Sequence, residues 1–197
     1  MTDANLGPLY KVASIIEGIV LDVDGVLTDG KITYTSDGNE LKSFHVQDGS
    51  SLKLLARQGI ALAIITGRQS SIVERRAKEL DITFVRQGVD SKSSALDQLI
   101  NDGFPAASLC AIGDDLQDLQ LFDHSAVCLA ATVANAHPAV LNRAQFVTQR
   151  PGGAGCRAHY RRRQGKPCRH TQDDVLCCNR AGGWHRRSVV GKAQRQF

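Results

Sequence analysis

The stretch Ile19-Val-Leu-Asp-Val-Asp-Gly-Val-Leu-Thr-Asp-Gly30 opens as a buried strand and ends in acid. Ile19, Val20 and Leu21 form a continuous apolar run, the pattern of a strand covered on both faces. Asp22 and Asp24 follow two residues apart, a spacing that puts both side chains on one face of an extended chain, and Gly25 permits a sharp exit. The stretch is not a calcium loop of the EF-hand kind, because Val26-Leu-Thr28 supplies none of the further ligands such a loop needs. Taken alone, Asp-x-Asp-Gly is as readily a solvated turn as a reactive site.

The surrounding chain repeats the strand pattern. Residues 18–23, 61–65, 83–85, 109–112, 126–129 and 145–147 are short β-branched or apolar runs, and residues 50–58, 70–80, 92–102 and 116–122 carry apolar side chains at helical spacing. This alternation predicts an α/β fold: a Rossmann-like, doubly wound parallel sheet with helices on both faces. A ligand in such a sheet sits beyond the carboxyl ends of the strands, where the strand order switches. One segment interrupts the pattern. Lys31 to Val46 alternates with period two on either side of Ser36-Asp-Gly-Asn39, the mark of a β-hairpin that leaves the sheet directly after the acidic stretch.

Three further strand ends carry chemistry. Ala63-Ile-Ile-Thr-Gly-Arg68 closes with a hydroxyl (Thr66), a glycine (Gly67) and a guanidinium (Arg68), a loop suited to an anion. Lys92 opens a helix after Gly88-Val-Asp-Ser91, and Cys110-Ala-Ile-Gly-Asp-Asp-Leu-Gln-Asp118 ends a strand with Asp114, Asp115 and Asp118. Four strand ends thus present acid, hydroxyl, ammonium and acid in order.

The ordered set Asp22-Val-Asp-Gly-Val-Leu-Thr28, Thr66-Gly-Arg68, Lys92 and Gly113-Asp-Asp-Leu-Gln-Asp118 resembles the haloacid dehalogenase superfamily of phosphatases. The fuller run Leu21 to Gly30, the hairpin, residues 44–49, Gln87-Gly88 and Ala136-His-Pro138 resemble its branch of 3-deoxy-D-manno-octulosonate 8-phosphate phosphatases, over about residues 15–155. The resemblance implies a Mg²⁺-dependent enzyme of lipopolysaccharide precursor synthesis acting on a phosphorylated sugar acid. It makes Asp22 the nucleophile that becomes an aspartyl phosphate and Asp24 the general acid and base. Thr66 and Lys92 hold the phosphoryl oxygens. Asp22, Asp114 and the backbone carbonyl of Asp24 ligate the metal. Arg68, with Gly67 beside it, is a candidate for the substrate's carboxylate; a salt-bridged loop arginine is the competing reading. Asp118 is a candidate to orient Lys92, Asp115 reads equally as a first-turn helix acid, and His45 and His137 read as structural.

Spacing leaves no cap domain, since only 41 residues separate Asp24 from Thr66 and 21 separate Lys92 from Asp114. The resembled family closes its site as a homotetramer. Two alternatives share the fold: a phosphatase of a nine-carbon sialic-type acid phosphate, and a non-catalytic oligomerisation module, against which the intact Asp22, Asp24, Lys92 and Asp114 argue.

The net charge of +4 conceals two unlike parts. Residues 1–155, expected to form the phosphatase domain, hold 13 Lys+Arg against 18 Asp+Glu; residues 156–197 hold 11 against 2, with four of the six cysteines. A basic arm for nucleic acid is one reading of this tail, but it would rest on the tail only and no nucleic acid is expected as a partner; Cys168-Arg-His170 with Cys177-Cys178 lacks the ligand pairs of a zinc site. Where the family continues Ala-Val-Arg after Gly152-Gly-Ala-Gly155, this chain runs Cys156-Arg-Ala-His-Tyr-Arg. Dropping one nucleotide from that stretch gives codons that include Ala-Val-Arg-Thr-Ile. Residues 156–197 are therefore expected to be a frameshifted or disordered tail. With neither a signal core nor an apolar run near the roughly 20 residues of a membrane span, the protein is expected in the cytoplasm, away from membranes.

Overall fold

The computed structural model describes residues 6–155; the expectations for the basic tail lie outside the described residues. The chain runs α1 (Leu6–Ala13), β1 (Gly18–Leu21), β2 (Thr33–Tyr34), β3 (Glu40–Leu41), α2 (Val46–Arg57), β4 (Ala61–Thr66), α3 (Ser71–Glu79) and β5 (Phe84–Gln87). It continues with α4 (Lys92–Asn101), β6 (Leu109–Ile112), a 3-10 turn (Leu116–Asp118), α5 (Leu119–Phe122), β7 (Val127–Thr132), α6 (Pro138–Arg143) and β8 (Phe146–Val147).

Six strands form one parallel sheet in the order β5-β4-β1-β6-β7-β8. The expected doubly wound α/β fold is therefore what the chain adopts. β1 is central because all four of its residues are buried. Ile19 and Leu21 enter a core completed by Leu52 and Leu55 of α2 and Val73 and Ala77 of α3. Val20 enters a second core with Leu96 and Leu99 of α4, Leu121 of α5 and Val140 of α6. Helices α2 and α3 thus cover one face and α4 to α6 the other. The chain moves outward from β1 to β4 and β5, then returns to β6 on the opposite side, so the crevice at the carboxyl ends of β1 and β6 is the switch point.

The hairpin also forms, with Thr33 opposite Leu41 and Tyr34 opposite Glu40, closed by Thr35 N–H donating to the Asn39 carbonyl at 2.9 Å. Several boundaries differ from the sequence pattern. Helix α2 begins at Val46, ahead of the expected residue 50, because His45 caps it: Nδ1 accepts from Gln47 N–H at 3.1 Å. His137 caps α6 in the same way, receiving Ala139 N–H at 3.1 Å, with Pro138 at the first helical position. Helices α1 and α6 were too short for a periodic signal. Strand β1 ends at Leu21 where residue 23 was expected, and the 116–122 segment divides into the 3-10 turn and α5. Among the described residues no helix is long and apolar enough to cross a membrane.

Candidate active site

Asp22 leaves β1 with its N–H still donating to the Ile112 carbonyl at 2.9 Å, so the sheet itself fixes the carboxylate at the switch point. The side chain is buried, and Lys92 Nζ donates to Oδ1 at 2.6 Å. Lys92 is the first residue of α4; Ser91 caps that helix through Ser94 N–H, and Gln120 Oε1 receives the Lys92 N–H at 2.9 Å. The same ammonium donates to Asp118 Oδ1. Asp118 Oδ2 accepts the N–H groups of Asp114 and Asp115, at 2.9 and 3.0 Å, while Asp115 caps the 3-10 turn by accepting Leu116 N–H at 2.7 Å. One buried lysine therefore joins the ends of β1 and β6.

Carboxylate oxygens of Asp22, Asp114 and Asp118 all lie within 4.8 Å of one another. Asp118 is occupied by Lys92 and two N–H groups, whereas Asp114 Oδ1 is buried with no hydrogen-bond partner. Burial, reinforced by the charges of Asp22, Asp118 and Asp115, pushes the Asp114 carboxyl up to about 7. Burial also raises Asp22, against the pull of Lys92. For Lys92 burial acts against the charge, but the two carboxylates outweigh it and hold the ammonium above its ordinary value. Crowded oxygens with one buried atom unpartnered fit a hard divalent cation.

Backbone shape brings Asp114 this close. Gly25 has φ +105°, and a Cβ there would stand 2.0 Å from Asp114 Oδ2. Gly152 closes over the same loop: its Cβ would lie 1.6 Å from the Gly25 carbonyl oxygen, and Gly153 N–H donates to the Val26 carbonyl at 3.0 Å.

Asp24 faces a second set of groups. Lys42 Nζ donates to Asp24 Oδ1, and Arg68 Nε stands 3.8 Å from Oδ2. Glu40 accepts from Arg68 at 3.0 Å and from Ser70 Oγ at 2.6 Å, with Lys42 3.5 Å away. Thr66 ends β4 with its side chain buried, and Gly67 follows beneath Gln117, where a Cβ would meet Oε1 at 3.0 Å. Asp22, Lys92 and Asp114 thus assemble in one cluster, and Asp24 with Arg68 in another. Lys42 and Glu40 were absent from the sequence reading. The available signal was their i, i+2 spacing on a strand that follows the acidic stretch, which puts both on one face of the hairpin.

The family model of haloacid dehalogenase-like hydrolases matches residues 82–151. The 3-deoxy-D-manno-octulosonate 8-phosphate phosphatase KdsC of Escherichia coli K12 is 40% identical over 144 residues, covering 73% of this chain and 76% of that protein. The Moraxella catarrhalis 3-deoxy-D-manno-octulosonate 8-phosphate phosphatase, solved with a magnesium ion, a phosphate ion and a KDO molecule, superposes with a TM-score of 0.70 at 41% identity, over 75% of this chain and 84% of that one. The Yersinia pestis enzyme of the same name gives 0.72 at 38% identity, over 76% and 80%.

Proposed function

The chain belongs to the 3-deoxy-D-manno-octulosonate 8-phosphate phosphatase family of haloacid dehalogenase-like hydrolases, and we propose that this phosphoric monoester hydrolase releases phosphate from 3-deoxy-D-manno-octulosonate 8-phosphate in lipopolysaccharide precursor synthesis. The observation that carries the reading is the buried Asp22 carboxylate at the switch point, held by Lys92 and facing the unpartnered Asp114 oxygen.

In this reading an Asp22 oxygen attacks phosphorus and the bond from phosphorus to the sugar oxygen breaks, leaving an aspartyl phosphate. Asp24 gives its proton to the departing oxygen, then takes one from the water that attacks the aspartyl phosphate and frees Asp22. Splitting the displacement in two is the gain of covalent catalysis, and a positioned acid and base typically contributes about 10²–10⁴-fold. Lys92 stays charged between Asp22 and Asp118, so it can neutralise a phosphoryl oxygen beside the nucleophile. Thr66, buried at the end of β4, supplies a hydroxyl toward the same oxygens, and Arg68 with Gly67 receives the sugar's carboxylate. Mg²⁺ held by Asp22, Asp114 and the Asp24 carbonyl would supply neutralisation of the phosphate dianion.

Assembly as a cytoplasmic homotetramer is part of the proposal. A two-stranded hairpin is marginal alone, and this one exposes Ile32, Tyr34 and Leu41. The phosphatase domain is taken as residues 1–155, consistent with a family match that ends at residue 151; resequencing the codons for Gly153 to Arg163 tests the frameshift.

The functional test measures phosphate release from 3-deoxy-D-manno-octulosonate 8-phosphate and from a nine-carbon analogue, with Mg²⁺ or with EDTA. Release from the eight-carbon ester that needs both metal and Asp22, judged with Asp22→Asn, is expected. Preference for the nine-carbon ester overturns the substrate assignment, and release that survives Asp22→Asn overturns the mechanism.

A further inference from the structure

We propose that Lys42, carried in by the hairpin, is a positioning residue for Asp24: it fixes Oδ1, so that Oδ2 is the atom that delivers the proton to the leaving oxygen and recovers it from water. The inference rests on the acid and base role assigned above.

Lys42 leaves the hairpin on the face opposite exposed Leu41, and its side chain is only 2% exposed. Hiding an ammonium is costly unless carboxylates receive it. Two do: Asp24 Oδ1 as a direct acceptor, and Glu40 at 3.5 Å. An ammonium has donors and no lone pair. A proton placed on Oδ1 would therefore face another donor, and the neutral carboxyl must carry its hydrogen on Oδ2.

The surroundings of Oδ2 agree with that assignment. Arg68 Nε, at 3.8 Å, is beyond hydrogen-bond reach and is itself buried without a partner, while the rest of the guanidinium is drawn to Tyr34 and Glu40. Oδ2 is thus left for chemistry by the same network that occupies Oδ1. The hairpin does not need Lys42 as a pin, because Glu40 already ties it to Arg68 and Ser70. In the forward step the Oδ2–H bond breaks as the sugar oxygen leaves phosphorus and gains that proton. In the second step a water O–H bond breaks, its oxygen bonds phosphorus as the bond from phosphorus to the Asp22 oxygen breaks and frees that carboxylate, and Oδ2 regains the proton.

Leaving-group dependence separates positioning of an acid from structural support. An alkoxide needs the proton; p-nitrophenolate leaves without it. Single-turnover release of the leaving group, the free sugar or p-nitrophenolate, is compared for 3-deoxy-D-manno-octulosonate 8-phosphate and p-nitrophenyl phosphate in the full chain, Lys42→Met, Lys42→Arg and Asp22→Asn. Lys42→Met is expected to slow the sugar ester about 10–100-fold, a part of the general-acid contribution, and to slow the aryl ester at least tenfold less. Lys42→Arg restores most of the difference. Lys42→Gln, which keeps a neutral donor, gives the same split at smaller amplitude and serves if the Met variant melts early. Equal slowing of both esters, or slowing of neither, overturns the proposal. Release from both esters that persists in Asp22→Asn instead overturns the underlying phosphatase mechanism, so the two failures are distinct.

Discussion

Lys92 Nζ lies 2.6 Å from Asp22 Oδ1, a buried contact between residues 70 apart in sequence, and the same ammonium reaches Asp118. This contact joins the strand that carries Asp22, the proposed nucleophile, to the helix and turn on the far side of the crevice. Deleting it leaves two carboxylates buried without a counter-charge.

Lys92→Met should therefore cost about 3–5 kcal/mol, the usual penalty for removing one partner of a buried pair. Urea unfolding reads the loss, and phosphate release should fall by at least about 10²-fold, the scale of losing one electrostatic group. A variant with wild-type stability would mean that the pair is not buried in solution.

Asp118 divides its two oxygens between Lys92 and the N–H groups of Asp114 and Asp115. Asp118→Asn keeps an acceptor for the two N–H groups and loses the charge; Asp118→Ala loses both. The Ala variant should be less stable than the Asn variant by about 1–3 kcal/mol, the cost of unpaired buried donors. Both should slow turnover more than they raise KM.

Asp114 Oδ1 is buried without a partner among oxygens that repel one another. Added Mg²⁺ should raise the melting temperature, by linkage about 2.7 kcal/mol at 100 times its Kd. Asp114→Asn should abolish most of that rise. Calorimetry with Mg²⁺ alone, without substrate, checks this separately from activity.

Asp48, in the first turn of α2, is buried, with His45, the Gly155 N–H, Arg76 and Arg150 near enough to pull it partly back. Burial raises its carboxyl from 3.8 to about 6. The folded state thus holds this proton more tightly than the unfolded chain does. Stability from Asp48 is greatest below pH 3.8, falls as pH rises toward about 6, and is level above. Asp48→Asn should remove that decline and, at pH 8, stabilise the protein by about 1–3 kcal/mol. Melting curves of both proteins at pH 4, 5, 6 and 8 isolate the group, because Asp22 and Asp114 titrate in each.

Gly152→Ala would drive a methyl to within 1.6 Å of the Gly25 carbonyl oxygen, with backbone on both sides of the clash. Overpacking of this kind typically costs about 1–3 kcal/mol, and the displaced loop carries Asp24. Activity should fall further than stability explains, whereas Gly38→Ala, in open space at the hairpin tip with φ +84°, should cost about 1 kcal/mol and spare turnover.

The fold was legible because burial on both faces leaves a local trace: Ile19 to Leu21, Ala61 to Ile65 and Leu109 to Ile112 are apolar wherever the sheet is central. Asp22, Lys92 and Asp114 could be picked out for the complementary reason, since charge at the end of such a run is out of keeping with its neighbours. Lys42 and Glu40 could not. On an exposed-looking hairpin a charged residue is ordinary, and only the tertiary placement of β3 against the Asp24 loop buries the Lys42 ammonium. Asp48 was hidden likewise, lying ahead of the helix expected from residue 50, and only the placement of Gly155 beside α2 buries its carboxyl.

The packing of Gly152 and Gly153 on the Gly25 to Asp29 loop sets an order of events during translation. A ribosome delivers Asp22 and Asp24, the proposed nucleophile and acid, before the other strands of the described sheet, yet the piece that roofs their loop emerges only after β8. A nascent or truncated chain ending before residue 152 would carry each reactive carboxylate on an unfinished backbone. The proposed hydrolytic competence should therefore arrive as a late, all-or-none event, with Gly152 and Gly153 acting as its completion signal.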